Sequence, residues 1–145
     1  MINIQKLSTS EIEEVVALEE ELLLETLGSE MLQNELSNPY AHFLVAKDQN
    51  KTIGYIGCWC IDGVCEVINF VVDKAYQRQG VGTSLLNSVI DEFHPQEIIL
   101  EVRSENAQAI NFYLKHQFKQ IGRRTAYYKN GDDALVLRKE ILWRF

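Results

Sequence analysis

The stretch VINFVVDKAYQRQGVGTSLLNSVIDEF, residues 67–93, decides the fold. It begins with an apolar, β-branched run over residues 67–72, which predicts a buried strand. A polar loop follows and leads to Gly80 and Gly82. From Thr83 onward, apolar residues recur at helical spacing. The stretch therefore predicts a strand, a glycine-rich loop and a helix in direct succession.

This loop has the features of an anion site. The first turn of a helix offers unpaired N–H groups and a positive dipole end, and glycines let a phosphate approach the backbone. A dinucleotide fingerprint needs a third glycine where Leu85 stands, and a P-loop needs a lysine, which residues 77–87 lack. The pattern that fits is Q-x-x-G-x-G, formed by Gln77, Gly80 and Gly82. A glycine-rich turn without a ligand is the alternative.

Length and composition predict a single domain over residues 1–145. The net charge of −7 and the lack of a Lys/Arg block argue against a nucleic-acid partner. No stretch is apolar enough to cross a bilayer, and the N-terminus lacks a signal-peptide core. Three cysteines do not form a secreted disulfide framework, so they are expected to be small buried side chains. A cytoplasmic protein without a membrane partner is expected.

The remaining patterns predict the order of the elements. We expect a first strand within residues 2–7, a helix to about residue 25, a short helix to about residue 37, strands at 40–47, 52–60 and 65–72 in an antiparallel meander, the helix that ends at residues 94–95, a strand at 98–102, a helix ending near residue 116, and strands at 118–122 and 134–137. The strand at 98–102 should run parallel to the strand at 65–72, because a helix crosses between them. Glutamates of the first helix are predicted to form a solvated face, with an acidic docking surface as the alternative.

Few residues outside the loop suggest chemistry. Glu101 stands inside an apolar strand, where a carboxylate is costly to bury. It either pairs with Arg103 or faces a cleft as a general base. Tyr113 is predicted to pack in the core with its hydroxyl at the rim, and Asn106 to start a helix. Metal-ligand and hydrolase signatures are lacking, so we predict no metal.

The Q-x-x-G-x-G hexapeptide resembles the acetyl-CoA pyrophosphate motif of the GNAT acetyltransferases. The segments INFVVDKAYQRQGVGTSLL, ILEVRSENAQAINFY and RRTAYYKNGDDALVL together resemble the RimI-type ribosomal-protein alanine N-acetyltransferases. Two segments depart from that group. LLLETLGSEM stands where the group has Pro-Trp-Ser, and HQF at residues 116–118 stands where it has Leu-Gly-Phe.

The resemblance implies an α/β GNAT fold. It has a mixed, mostly antiparallel twisted sheet with a parallel pair splayed around the acetyl-CoA site, and about four flanking helices. The resemblance also implies acetyl-CoA as co-substrate and direct acetyl transfer to a primary amine. Glu101 would be the general base and Tyr113 the general acid. The residues implied to bind coenzyme A are Phe70, Val71 and Val72 for the pantetheine arm, Arg78, Gln79, Gly80, Val81, Gly82 and Thr83 for the pyrophosphate, and Asn106.

Three functions follow, in order of preference. The first is acetylation of the N-terminal α-amine of a protein, with ribosomal proteins among the candidate partners. The second is acetylation of lysine side chains or of a small amine such as a polyamine or drug. The third is a non-catalytic acyl-CoA-binding module. A monomer or a homodimer is expected.

Overall fold

The structure is a computed structural model that describes residues 1–143. Within these residues the elements are β1 (Ile2–Lys6), α1 (Ile12–Leu22), α2 (Gly28–Glu35), β2 (Ala41–Asp48), β3 (Lys51–Ile61), β4 (Val64–Val72), α3 (Val81–Phe93), β5 (Glu97–Arg103), α4 (Ala107–Lys115), β6 (Lys119–Arg124) and β7 (Ala134–Glu140). Short 3₁₀ turns precede α1 at Thr9–Glu11 and α3 at Lys74–Tyr76. The strand order is β1-β2-β3-β4-β5-β7-β6. The predicted mixed sheet with about four helices is confirmed.

β4 and β5 run parallel, as the helix that crosses between them predicted. β4 pairs with β5 from Val64 opposite Glu97 to Val67 opposite Leu100. The pairs β1–β2, β2–β3, β5–β7 and β6–β7 are antiparallel. A hairpin turn at Asp62-Gly63 joins β3 to β4, and both residues have positive φ angles, 51° and 82°. This conformation is typical of a tight two-residue hairpin.

The chain divides into two compact units. The first comprises Met1–Cys60 and Ile68–His94. It packs α1 and α2 against β2, β3 and the end of β4 through a cluster of apolar side chains. The buried members of that cluster are Leu7, Ile12, Val15, Leu18, Leu32, Phe43, Val45, Tyr55 and Val71. The prediction of one domain over residues 1–145 stays a prediction.

The second unit comprises Ile61–Val67 and the chain from Pro95 onward. Alternate residues of β5 are buried, which is typical of a strand that buries one face. The buried apolar side chains of this unit include Cys65, Val67, Ile98, Leu100, Val102, Tyr113, Phe118, Ala134, Leu135 and Leu137. β7 extends to Glu140, beyond the predicted end at residue 137, because it pairs along the full length of β5.

The acidic face predicted for α1 is wrong in part, because Glu11 and Glu19 are buried with 3% and 0% exposure. Glu11 completes a capping box by accepting the Ser8 N–H at 2.9 Å. Glu19 accepts the backbone N–H groups of Leu27 and Gly28, each at 3.1 Å. Gly28 therefore begins α2, and a carboxylate from α1 satisfies the first N–H groups of the new helix.

The cysteines differ from the expectation of small buried thiols. Cys58 is a free, fully buried thiol, whereas Cys60 and Cys65 are disulfide-bonded. Within residues 1–143, no helix has the length and apolarity needed to cross a lipid bilayer. The same residues contain no group of three or more His, Cys, Asp or Glu side chains arranged to hold a metal ion.

Candidate active site

The end of β4 leads into the glycine-rich loop in the first unit. Val71 faces the core with 6% exposure, while Phe70 and Val72 are half-buried. The N–H of Asp73 donates to the carbonyl of Ile53 at 2.7 Å, which holds the end of β4 in place. The three predicted pantetheine-binding residues thus lie directly before the loop, at the end of an ordered strand.

The glutamine of the Q-x-x-G-x-G motif fastens this loop to the strand. The side-chain amide of Gln77 donates to the carbonyl of Val72 at 2.9 Å. Two residues on, the side-chain amide of Gln79 donates to the carbonyl of Ala75 at 2.9 Å. These bonds fix where α3 starts relative to the end of β4. The sequence pointed to the motif, but not to this fastening role of Gln77.

The backbone of the loop has the form of an anion site. Arg78 and Gly80 both adopt left-handed conformations, with φ angles of 64° and 82°. Gly80 is the N-cap of α3 and offers no capping side chain to the N–H groups of the first turn. A Cβ atom on Gly80 would meet no described atom within 4 Å, so this side of the loop is open. Turns of this kind and helix N-termini bind anions through their N–H groups. The loop therefore fits a phosphate or diphosphate.

A carboxylate and a guanidinium meet on one face of the second unit. Nη2 of Arg124 lies 3.2 Å from Oε1 of Glu101, whose side chain is 22% exposed. Oε2 of Glu101 is buried and has no hydrogen-bond partner among the described residues. The alternative pairing of Glu101 with Arg103 is wrong, because Arg103 donates instead to Asp132 at 2.7 Å. Glu101 is thus a half-paired carboxylate: a cation holds one oxygen, and the other is buried without a hydrogen-bond partner among the described residues.

The loop over residues 125–133 is held by its own charges. Arg124 also lies over the ring of Tyr127, with its guanidinium carbon 5.1 Å from the ring centroid. Asp133 accepts the Ala126 N–H at 2.8 Å and the Arg123 guanidinium at 2.6 Å. Those two donors hold the pKa of Asp133 below its usual range. Arg103 and Asn130 do the same for the pKa of Asp132.

Tyr113 and Asn106 lie on α4 in the positions that the sequence predicted. Tyr113 is 8% exposed, and its ring packs edge-on against Phe112 and Phe118, with centroids 5.5 and 5.3 Å away. Asn106 is the N-cap of α4 and accepts the Ala109 N–H at 3.2 Å. Leu114 of the same helix is 51% exposed, so it lies outside the core that buries Tyr113.

Sequence reasoning missed the partner of Glu101. Arg124 was one of several arginines near the end of the chain, and nothing in the spacing singled it out. The alternation of side chains along β6 could have indicated the partner, because residues on one face of a sheet contact each other across neighbouring strands. That alternation is broken by a register shift between Gln120 and Gly122, which the sequence does not reveal.

Comparison with known proteins agrees with the geometry. A model of the acetyltransferase (GNAT) family matches residues 8–118. N-alpha-acetyltransferase RimI of Mycobacterium tuberculosis is 32% identical over 111 residues, which cover 73% of this chain and 70% of that protein. An N-alpha-acetyltransferase of Saccharolobus solfataricus is 30% identical over 115 residues, covering 68% of this chain and 69% of that protein.

A comparison with solved structures finds the same fold in a known acetyltransferase. The crystal structure of the ribosomal-protein-S18-alanine N-acetyltransferase from Escherichia coli superimposes with a TM-score of 0.89. The match covers 100% of this chain and 97% of that chain, at 24% sequence identity, and it supports the fold alone. The family match spans most of the chain and includes the glycine-rich loop before α3. The chain therefore belongs to the GNAT acetyltransferase family, and it is an N-acetyltransferase that uses acetyl-CoA as its acetyl donor.

Proposed function

We propose that this enzyme transfers the acetyl group directly to the N-terminal α-amine of a protein, with alanine-initiated ribosomal proteins as the preferred class. The names of the relatives from Mycobacterium tuberculosis and Saccharolobus solfataricus support an α-amine acceptor. The observation that carries the chemistry is Glu101, a strand carboxylate with one buried oxygen that has no hydrogen-bond partner among residues 1–143. Such an oxygen can take a proton from an amine.

The coenzyme side of the proposal rests on the loop before α3. The N–H groups from Arg78 to Thr83 would hold the pyrophosphate, because the loop is open at Gly80 and the helix adds its positive end. Main-chain groups of Phe70–Val72 would pair with the pantetheine arm, and an N–H near Phe70 and Val71 would polarise the thioester carbonyl. Asn106 would contact the coenzyme as well.

The proton path uses two side chains of the second unit. Glu101 would take a proton from the acceptor ammonium, directly or through a water, so that the nitrogen lone pair can attack the thioester carbon. The carbon–nitrogen bond forms, the carbon–sulfur bond breaks, and Tyr113 would give a proton to the departing thiolate. Because Tyr113 packs between two phenylalanine rings, its position is fixed before substrate binds. Positioning both substrates supplies much of the acceleration.

An α-amine suits this chemistry better than a lysine side chain does. The ordinary pKa of an α-amine is about 7.7–8.0, whereas that of lysine is about 10.4. At neutral pH a far larger fraction of α-amine is therefore already deprotonated and able to attack.

Free-thiol release from acetyl-CoA tests the proposal. The acceptor panel contains peptides with free Ala, Ser or Met N-termini, the Ala peptide with a blocked N-terminus, an N-blocked lysine peptide and spermidine. We expect thiol release with free Ala or Ser N-termini, and none above background with the blocked Ala peptide. Turnover only with lysine or spermidine would overturn the α-amine assignment and leave an acetyltransferase of another specificity.

Two further expectations accompany this proposal. Ribosomal proteins are made in the cytoplasm, so we expect the enzyme to act there. The acceptor and coenzyme sites assigned above come from one chain, so activity is expected of a monomer or of a homodimer. Light scattering coupled to size-exclusion chromatography distinguishes the two states.

A further inference from the structure

The ion pair between Glu101 and Arg124 changes what the site offers to an incoming amine. Glu101 alone would present a net negative charge, which attracts an ammonium ion. With the guanidinium of Arg124 3.2 Å from Oε1, the two charges cancel locally. A second cation arriving at Glu101 gains attraction from the carboxylate but is repelled by the arginine. A neutral amine experiences neither effect.

Arg124 is held where it can act in this way. Its guanidinium lies over the Tyr127 ring, 5.1 Å from the centroid. The chain between the two residues is fixed by the Asp133 carboxylate, which accepts the Ala126 N–H at 2.8 Å. The pair leaves Oε2 of Glu101 unpartnered among the described residues. One oxygen thus meets the permanent cation, and no donor of the described residues competes for the other.

We propose that Arg124 is a specificity-determining residue that selects acceptors whose amine loses its proton readily, because its cation disfavours an ammonium that stays protonated beside Glu101. The proposal rests on the function proposed above, with Glu101 as the general base, and names the property by which the acceptor is chosen. At pH 7.5 roughly a third of an ordinary α-amine is neutral, against about one lysine side chain in a thousand. Cancelling the charge of Glu101 therefore disfavours lysine far more than an N-terminus.

The expected effect is moderate. Arg124 is 56% exposed, so solvent and salt screen its charge. Exposed ion pairs of this kind contribute little to stability, but the repulsion of a second cation near the pair still bears on which acceptors bind. We expect removal of Arg124 to lower the preference for α-amine over lysine by about fivefold at low ionic strength.

The experiment compares kcat/KM for two peptides of the same sequence. One has a free alanine N-terminus and no lysine, and the other has a blocked N-terminus and one lysine. The wild-type enzyme is measured beside Arg124→Gln, Arg124→Lys and Lys119→Gln. Lys119 stands at the other end of β6, opposite Arg138, so its substitution removes the same charge from the same strand. Coenzyme A affinity and thermal unfolding are measured for every variant.

We expect the α-amine preference to fall in Arg124→Gln, chiefly through higher kcat/KM for the lysine peptide. It should stay within about twofold of the wild-type value in Arg124→Lys, which keeps the charge, and in Lys119→Gln. An unchanged α-amine preference in Arg124→Gln would overturn the proposal. An equal loss of kcat/KM for both peptides would also overturn it, because such a loss indicates a structural role for Arg124. If the wild-type enzyme does not acetylate the alanine peptide at all, the proposed function fails instead.

A second measurement needs no variant of the enzyme. Thialysine has nearly the size of lysine but a more acidic side-chain amine, so more of it is neutral at pH 7.5. The wild-type enzyme should acetylate an N-blocked thialysine peptide faster than the lysine peptide. Equal rates would mean that shape, rather than charge, excludes lysine, and the proposal would be wrong.

Discussion

The carboxylate of Glu19 accepts a 2.5 Å hydrogen bond from the hydroxyl of Tyr55, and both side chains are fully buried. The same carboxylate accepts from Asn69 of β4 at 3.2 Å, in addition to the two N–H groups that begin α2. Burial and the adjacent Glu19 carboxylate raise the pKa of Tyr55, so its hydroxyl stays a donor at any physiological pH. Glu19 thus connects α1, α2, β3 and β4.

Glu19→Gln should destabilise the protein. The amide nitrogen of glutamine cannot accept the hydrogen bonds that Glu19 takes from the start of α2, so buried donors lose their partner. We expect the free energy of unfolding to fall by about 2–4 kcal/mol, measured by urea denaturation. Glu20→Gln is the matched control, because Glu20 is the exposed neighbour on the same helix. Equal stability of the two variants would contradict the assignment.

Glu101→Gln should lower kcat by at least about 100-fold, because an amide cannot accept the proton of the acceptor ammonium. Glu97→Gln is the control on the same strand; Glu97 pairs with Arg138 at 2.6 Å, and its substitution should leave turnover nearly unchanged. The measurement is thiol release at saturating acetyl-CoA. Wild-type turnover by Glu101→Gln across the accessible pH range would exclude the general-base role.

Tyr113→Phe should slow acetyl transfer without weakening coenzyme binding. The substitution keeps the ring that packs against Phe112 and Phe118 and removes only the hydroxyl. We expect kcat to fall by about 10–100-fold while the Kd for acetyl-CoA, measured by calorimetry, stays within twofold. Tyr40→Phe, at an exposed position, serves as the control. A parallel loss of coenzyme affinity would indicate that the hydroxyl has a packing or binding role instead.

Gly80→Ala should weaken coenzyme A binding. Gly80 has a φ angle of 82°, so alanine costs about 1 kcal/mol of backbone strain, and its Cβ would enter the open side of the loop. Gly28→Ala is the matched control, because Gly28 has a φ angle of 83° and equally open surroundings. Both variants should lose similar stability, but only Gly80→Ala should raise the Kd for coenzyme A several-fold by calorimetry. Equal affinities would place the phosphates elsewhere.

Acid should destabilise the protein in part through His42. Its ring stacks on Phe93 with centroids 4.0 Å apart, and burial together with Lys6 lowers its pKa below the usual 6.5. Below pH 6.5 the unfolded chain binds a proton that the folded protein does not, so this contribution is complete above pH 6.5 and is lost as pH falls through the lowered pKa.

His42→Phe keeps the stacking and cannot titrate, so the decrease in unfolding free energy between pH 7.5 and 5.5 should be smaller than in the wild type. Glu92→Gln removes the charge that opposes the lowered pKa, and the decrease should then be larger. Urea denaturation at both pH values measures each variant. Identical pH dependence of wild type and His42→Phe would show that other groups are responsible.

The sequence by itself determined the order of the elements and the loop before α3. The spacing of apolar residues distinguishes strands from helices. Two buried strands that are joined through a helix are expected to run parallel. The Q-x-x-G-x-G motif predicted an anion site because the features behind that prediction are local: glycines in a turn and the start of a helix. The ends of the elements were harder to predict. α1 ends at Leu22, and the Glu19 carboxylate near its end accepts an N–H at the start of α2.

Local pattern could not determine the environment of each charged residue. Glu19 and Glu20 are adjacent glutamates on one helix, yet only Glu19 is buried, because Tyr55, Asn69 and the start of α2 supply its donors from distant parts of the chain. A solvated face was the natural prediction. The hydrogen-bond donors that offset the cost of burying the Glu19 carboxylate come together only when the elements pack.

The tertiary structure also decides whether Arg123 or Arg124 pairs with Glu101. Lys119 and Gln120 of β6 face Arg138 and Leu137, but after the bulge at Ile121 the register with β7 shifts by one residue. The shift pairs Arg124, rather than Arg123, with Ala134, which lies opposite Arg103 and therefore on the same sheet face as Glu101. Because strand side chains alternate, one inserted residue exchanges the two faces and decides which arginine reaches the carboxylate.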